Sequence, residues 1–184
     1  MPVVDDLTAR GYELRPLTLE DARALAAAYD RNRRHLAPWD PPRPPDWWTE
    51  PGQRARVTTE LDAVEAGRLA AWLVHHGGEV VGRVALNSIV LGPFRSASMG
   101  YWIDGGHTGR GVATWAGEHA CAEGRRLGLH RVEAGTMRHN MASQGVLRRL
   151  RFTWFGTAER YLFIDGAWRD HHLFQRLLHD DPLE

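Results

Sequence analysis

The sequence predicts a mixed α/β fold of about seven strands and about four helices, in the order β-α-α-β-β-β-α-β-α-β-β. Three observations carry this. Short apolar runs rich in β-branched and aromatic residues alternate with longer segments whose apolar residues recur near helical spacing. One such run, 99–104, passes through a glycine-rich turn into a helical segment. Two further turns, Gly77-Gly78 and Asp165-Gly166, each join strand-like runs as hairpins. The 184 residues fit a single domain, taken as 1–184, and suffice for a substantial core.

The first strand is Tyr12-Glu13-Leu14-Arg15-Pro16-Leu17. Thr18 follows as an N-cap, with Glu20 and Asp21 in the first turn of a helix reaching about Arg34. Arg31, Arg33 and Arg34 read as a solvated end that complements the helix dipole, or alternatively as contacts to an anionic acceptor. Between residues 35 and 51 the chain changes character: Pro38, Pro41, Pro42, Pro44, Pro45 and Pro51 are interleaved with Trp39, Trp47 and Trp48. So many prolines predict a stiff, irregular surface loop. Its tryptophans either clamp the loop to the domain or wall an acceptor pocket, and both can hold.

A second helix is expected over 53–66, with Val57, Leu61 and Val64 on one face and Gly67 at its end. Strands follow at 70–74 and 80–86; the sheet extends through 89–91, turns at Gly92-Pro93 and returns at 97–104. After a helix over 112–127 come a strand at 131–136 and a break at His139-Asn140. A short helix then carries Val146, Leu147 and Leu150, and runs beginning at 152 and ending at 177 close the chain.

Residues 107–114, His-Thr-Gly-Arg-Gly-Val-Ala-Thr, are the densest functional signal. Gly109 and Gly111 allow backbone N–H groups to converge on an anion at the positive end of a helix; the plain alternative is a glycine turn without a ligand. Nucleoside-triphosphate binding is a poor candidate, because Gly-x-x-x-x-Gly-Lys-[Ser/Thr] is absent and the chain contains no lysine. A dinucleotide fingerprint fails at Thr114, where a third small residue belongs, and no early βαβ unit precedes it.

Acidic and basic residues balance at 23 each, so no global field favours nucleic acid or membrane as a partner. The single cysteine, Cys121, rules out an intrachain disulfide and a cysteine zinc site, and reads as a core thiol rather than a nucleophile. No apolar run approaches membrane-spanning length and the N-terminus lacks a signal-peptide core, so a cytoplasmic location is expected.

The ordered series Gly100-Tyr101-Trp102-Ile103-Asp104, His107, Gly109-Arg110-Gly111-Val112-Ala113-Thr114, Leu127-Gly128-Leu129-His130-Arg131-Val132-Glu133-Ala134 and Asn140-Met141-Ala142-Ser143 resembles one family. With Tyr161-Leu162 and Asp170-His171-His172-Leu173-Phe174 near the end, it is similar to the RimJ/RimL ribosomal-protein branch of the GCN5-related N-acetyltransferase (GNAT) superfamily. The resemblance is dense from about residue 70 and thin before it. The loop resembles the acyl-CoA pyrophosphate motif Gln/Arg-x-x-Gly-x-Gly/Ala, with Gly111 and Ala113 in the last two places and Thr108 where Gln or Arg is usual.

This resemblance implies a GNAT fold whose mixed, mostly antiparallel sheet splays at the strand before the pyrophosphate loop. It implies transfer from acetyl-CoA, a co-substrate, to a primary amine by direct attack in a ternary complex, without a metal. The amine belongs to a protein or peptide N-terminus, or to a metabolite or antibiotic. Such chemistry needs a neutral amine, a polarised thioester oxygen and a donor for the departing thiolate.

By the same resemblance Tyr101, Trp102 and Ile103 run beside the pantetheine arm. Thr108, Gly109, Arg110, Gly111, Val112, Ala113 and Thr114 take the pyrophosphate, Asn140 contacts the arm, and Ser143 lies near the sulfur. The family's usual tyrosine acid is Leu147 here, which makes Ser143 the candidate catalytic donor, unless it merely caps its helix. The family's glutamate two residues before Gly-Tyr is Ser98. His75, His76, Asn87 and Tyr161 remain as water-positioning candidates, or no dedicated base exists. Arg151 replaces the glycine usual before Phe152. Trp39, Trp47 and Trp48 fall on the acceptor side, and a homodimer is compatible with the family. The missing tyrosine and glutamate also leave open a non-catalytic acyl-CoA-binding sensor or partner module.

Overall fold

The computed structural model describes residues 4–182. Seven strands, β1 (Tyr12–Pro16), β2 (Ala70–His76), β3 (Glu79–Val90), β4 (Ser96–Ile103), β5 (Arg131–Met137), β6 (Thr153–Ile164) and β7 (Ala167–Leu177), form one sheet in the order β1-β2-β3-β4-β5-β7-β6. The helices are α1 (Val4–Ala9), α2 (Ala22–Arg31), α3 (Arg33–Leu36), α4 (Glu50–Glu65), α5 (Val112–Arg126) and α6 (Met141–Arg149). Every predicted strand is present. Both predicted hairpin turns have positive φ at each central residue, 59° and 83° at Gly77 and Gly78, 49° and 72° at Asp165 and Gly166. That backbone matches the twist of the flanking strands.

Helices cover both faces of the sheet. On one face Ala116, Ala120, Leu147 and Leu150 pack on Val74, Val84, Leu86, Met99 and Val132. On the other, Leu25, Ala28, Tyr29 and Val57 pack on Ala71, Leu73, Val80 and Ala85. Burial on both sides explains why β2 and β3 read as continuous apolar runs and not as alternating ones.

Three local expectations change. The helix expected to reach Arg34 is interrupted at Asn32, which caps α2 with φ −98° and ψ 7°, and a short α3 follows. The second helix starts inside the proline loop. Thr49 caps it by accepting from the Gly52 N–H, and Pro51 sits in the first turn, where a missing N–H costs nothing. α1 escaped the sequence reading; its Leu7 is buried in the core.

One feature of the sheet positions the cleft. All neighbouring strands are antiparallel except β4 and β5. These run parallel and pair only at Ser96, Ala97 and Ser98 with Arg131, Val132 and Glu133. Beyond that point β4 continues to Ile103 on β3 alone, while β5 follows β7. The two strands part, leaving one edge of β4 open inside the molecule.

Candidate active site

The parted strands open a cleft of about 1380 Å³. Met99, Gly100, Tyr101, Trp102 and Ile103 of β4 form one wall, and Ala134, Gly135, Thr136 and Met137 of β5 form the other. The turn before α5 and the α5 first turn close one side, and α6 contributes Ala142, Ser143, Val146 and Leu147. Leu36, Trp39 and Asp40 reach the cleft from the other face of the sheet.

The glycine turn is built for an anion. Gly109 and Gly111 take φ of +73° and +84°, and Gly111 is the N-cap of α5. A cap without a side chain leaves the first helical N–H groups free, at the positive end of the dipole. Thr108, Gly109, Gly111, Val112, Ala113 and Thr114 line the cleft; Arg110 does not. The Thr108 hydroxyl donates back to the Gly105 carbonyl at 3.1 Å, so this side chain braces the turn.

The turn is anchored from behind. Asp104 accepts from Arg31 Nε at 2.8 Å, Asn32 Nδ2 at 2.7 Å and the Gly106 N–H at 2.8 Å. Asn32 Oδ1 accepts from the Gly105 N–H at 2.9 Å. Burial alone would raise the Asp104 carboxyl, but the bonds from Asn32, Arg31 and Gly106 outweigh it and hold the group below its usual range. Arg31 is thus a structural tie between α2 and the loop. His107 lines the cleft with Nδ1 2.8 Å from the Tyr12 hydroxyl and its ring against His76. Burial pushes its pKa down, Asp104 opposing and His76 assisting.

At the centre the Tyr101 hydroxyl lies 2.8 Å from Ser143 Oγ, where either atom can be the donor, and 3.2 Å from the Ser143 carbonyl. Burial, against the Ser143 bond, pushes the Tyr101 pKa up to about 12, so the pair stays protonated. The cap of α6 is Asn140, whose Oδ1 accepts from the Ser143 N–H at 3.0 Å. Ser143 therefore does not cap its helix: its hydroxyl is held by Tyr101 in the first helical turn. Asn140 also lines the cleft, and its cap bond fixes the oxygen, leaving the amide nitrogen for other use. Leu147 is fully buried and supplies no acid.

The three loop tryptophans separate. Trp39 lines the cleft, with its ring 5.4 Å from that of His139. Beside it Asp40 is paired with Arg43 at 2.9 Å. Trp47 and Trp48 do not line the cleft. Trp47 lies between the guanidinium groups of Arg43 and Arg56, at 4.0 and 4.4 Å, and against Tyr29; Trp48 lies under Arg33 at 4.1 Å. Cation–π contacts and core packing hold these two as clamps.

Of the water-positioning candidates, none lines the cleft. His75 is buried in β2, His76 packs on Tyr12 and His107, and Asn87 donates to the Ser98 carbonyl. Tyr161 packs on His171. His171 itself lines the cleft, as do His35, Thr136 and Arg151, none of which the sequence singled out as a site residue. His171 faces Met137 across the β5–β7 ladder, a register that only the folded sheet discloses. Cys121 is in the core, its thiol pushed up to about 11 by burial, which suits packing and not nucleophilic attack. Among the described residues no group of three or more His, Cys, Asp or Glu is placed to hold a metal ion.

Residues 12–153 match the family model described as acetyltransferase (GNAT) domain. The chain belongs to the GNAT acetyltransferase family. This GNAT chain is 32% identical over 174 residues to the probable N-acetyltransferase YjcK of Bacillus subtilis (strain 168), covering 91% of this chain and 94% of the relative. It is similar in structure to the ribosomal-protein-S5-alanine acetyltransferase from Vibrio fischeri, with a TM-score of 0.89 and 30% identity, covering 93% and 96% of the two chains. Mycobacterium smegmatis RimJ, solved in complex with CoA-disulfide, matches with a TM-score of 0.83 and 32% identity over 91% and 83%. The protein is therefore an N-acetyltransferase with the GNAT fold of the RimJ/RimL group, and the mixed, splayed sheet expected from the sequence is the sheet observed.

Proposed function

We propose that this chain transfers the acetyl group of acetyl-CoA to the α-amine of a polypeptide N-terminus, with both substrates bound together. It does so in the cytoplasm as one domain, with residues 35–51 flanking the acceptor. The observation that carries the reading is the cleft between the parted β4 and β5, with the unblocked N-terminus of α5 at its side and the Tyr101–Ser143 hydroxyl pair within it. The acceptor class is supported by the Vibrio fischeri relative, which is a ribosomal-protein-S5-alanine acetyltransferase. The balanced charge gives no reason to invoke nucleic acid.

The residues present suit acetyl-CoA. Thr136 Oγ1 is buried in the cleft wall without a partner among the described residues, a hydrogen-bonding group matched to an amide of the pantetheine arm. The open edge of β4 offers backbone groups to the same arm, as a sheet edge does to an added strand. Gly109, with nothing within 4 Å of the place a Cβ would take, lets the loop backbone approach a pyrophosphate.

Acetyl-CoA supplies a thioester whose carbonyl carbon accepts the amine nitrogen and whose sulfur leaves with the bonding pair. Backbone N–H groups of β4 polarise the carbonyl. Ser143, oriented by Tyr101, donates a hydrogen bond to the departing thiolate, and the positive end of α6 favours negative charge there. The amine attacks in its neutral form and releases its proton to solvent once bonded to the carbonyl carbon, so Ser143 ends as it began. Trp39 and Asp40 bound the acceptor side, Asp40 held in place by Arg43. Placement of both substrates supplies much of the remaining acceleration, which is consistent with a cleft lined by no carboxylate on β4.

The test is thiol release from acetyl-CoA against N-terminal peptides, polyamines and aminoglycosides, with the acetylated atom located by mass spectrometry. Acetylation of peptide α-amines is expected. Acetylation of small amines alone overturns the acceptor class, and CoA binding without transfer to any amine overturns the transfer.

A further inference from the structure

Arg151 occupies a position that a side chain makes costly. α6 ends in a Schellman arrangement: the Phe152 N–H bonds the Leu147 carbonyl at 2.9 Å and the Arg151 N–H bonds the Arg148 carbonyl at 3.0 Å. In that arrangement the residue after the cap is left-handed and usually glycine. Arg151 adopts it, with φ +61°, against the preference of any residue with a Cβ. Phe152 and Leu147 are both buried in the core, so the arrangement is firmly held.

The side chain in this strained position lines the cleft, as does that of Arg149. Both are exposed, and neither has a hydrogen bond or ion pair among the described residues. The third arginine on the cleft, Arg176, is instead neutralised by Glu118 at 2.8 Å. Favourable interaction with the helix dipole accounts for a basic residue such as Arg148, which does not line the cleft. It does not require a non-glycine after the cap.

Distance specifies the ligand. Arg149 lies six residues and Arg151 eight residues beyond Ser143, about 9 to 12 Å along α6 at about 1.5 Å per residue, before the reach of the guanidinium is added. Two unpaired guanidinium groups that far from the reacting centre, on the helix wall and not on the Trp39 side, suit a dianionic group at the remote end of the cofactor.

We propose that Arg151, together with Arg149, binds the ribose 3′-phosphate of CoA and makes the enzyme discriminate against the dephosphorylated cofactor. This rests on the acetyl-CoA reading of the cleft. Guanidinium forks match phosphate oxygens in geometry and charge. The strain at Arg151 is then retained because a glycine there would forgo the contact.

The test uses Arg151→Gly, which relieves the backbone and so should melt no lower than the parent chain. Calorimetry with CoA and with dephospho-CoA gives the preference for the phosphate. The parent chain should favour CoA by roughly tenfold at low salt, less as salt rises. Arg151→Gly should lose most of that preference and Arg149→Ala part of it, with dephospho-CoA affinity nearly unchanged in both. Equal affinities in the parent chain, or a preference that survives Arg151→Gly, overturn the inference and leave the acetyl-CoA reading standing. Failure to bind either cofactor overturns both. If Arg151→Gly keeps the preference but raises KM for an acidic acceptor peptide, the guanidinium serves the acceptor and the inference fails.

Discussion

Tyr101→Phe removes one oxygen from the centre of the cleft while keeping the ring that fills it. The lost contacts are the 2.8 Å bond to Ser143 Oγ and the longer 3.2 Å contact to the Ser143 carbonyl, of which only the first reaches the hydroxyl. A neutral hydrogen bond contributes about 1 kcal/mol net, and about 1.4 kcal/mol is tenfold in rate, so kcat should fall about fivefold with KM for either substrate little changed. Ser143→Ala removes the donor itself. A donor aimed at charge that develops during reaction contributes about 3 kcal/mol, so the loss should be roughly 100-fold in kcat. Tyr101 acts only by orienting Ser143; in the Ser143→Ala background, therefore, Tyr101→Phe should cost nothing further. The double-mutant cycle then returns a coupling of about 1 kcal/mol. Single-turnover measurement of thiol release from pre-bound acetyl-CoA isolates the chemical step from product release. Independent, additive losses would refute the orienting role, and an unchanged kcat for Ser143→Ala would refute the donor.

Gly111→Glu sets a carboxylate at a residue with φ +84° that caps α5, and calorimetry on the folded variant should detect no acetyl-CoA binding; retained affinity removes the phosphate-loop role. Asn32→Ala leaves Asp104 and the Gly105 N–H each short of a partner. Chemical denaturation should show a loss of about 2 to 3 kcal/mol, and KM should rise for acetyl-CoA more than for the acceptor. Trp39→Ala should raise the acceptor KM at unchanged acetyl-CoA affinity, whereas Trp47→Ala should lower the melting temperature and leave both constants near the parent values; the reverse pattern would exchange their roles. For Tyr101, raised from 10.0 to about 12, the unfolded chain releases the proton first as pH climbs. Stability therefore falls between those two values. Urea midpoints compared at about pH 9 and about pH 11 should show a smaller alkaline loss in Tyr101→Phe.

The fold was legible wherever local chemistry decides it. Gly77-Gly78 and Asp165-Gly166 dictate hairpins because few other residue pairs accept two positive φ values. The Met99 to Thr114 segment announces strand, turn and helix through its glycines. The break at Asn32 was hidden because its cause is tertiary: the Asn32 amide is engaged by Asp104, 72 residues away. The early start of α4 is hidden because a proline-rich stretch reads as irregular, although Pro51 falls in the first turn, where a missing N–H is tolerated. For the site, the motifs single out Tyr101 to Ile103 and Ser143, which line one cleft, but the partnership of Ser143 with Tyr101 depends on how far apart β4 and α6 stand. How the three tryptophans divide between clamp and cleft wall is hidden for the same reason. A sequence shows an aromatic in a loop, but not whether an arginine such as Arg56, in the second turn of α4, stands ready to hold it.

Strand β4 shows why one short segment can serve two substrates with separable chemistry. Successive side chains on a strand point to opposite faces. Tyr101 accordingly packs with the α5 and α6 side of the core and meets Ser143, while Trp102 packs with the α2 side and donates to the Tyr29 hydroxyl at 3.1 Å. That Trp102 face is shared with Leu36, so in the proposed reading the strand presents its Tyr101 face to the cofactor and its Trp102 face to the elements that carry the acceptor loop. The division exists only past Ser98, where β5 leaves. Up to that point both edges of β4 are paired; after it, the edge of Gly100 to Ile103 that faces away from β3 is open to the cleft. Substitutions in the proline loop therefore act through Trp102 and Leu36 on one side of a strand whose own position is fixed by the β3 ladder and the Asn32–Asp104 tie. Acceptor choice can drift in that loop without moving Ser143, and for that reason Trp39→Ala is expected to change the acceptor KM and not the affinity for acetyl-CoA.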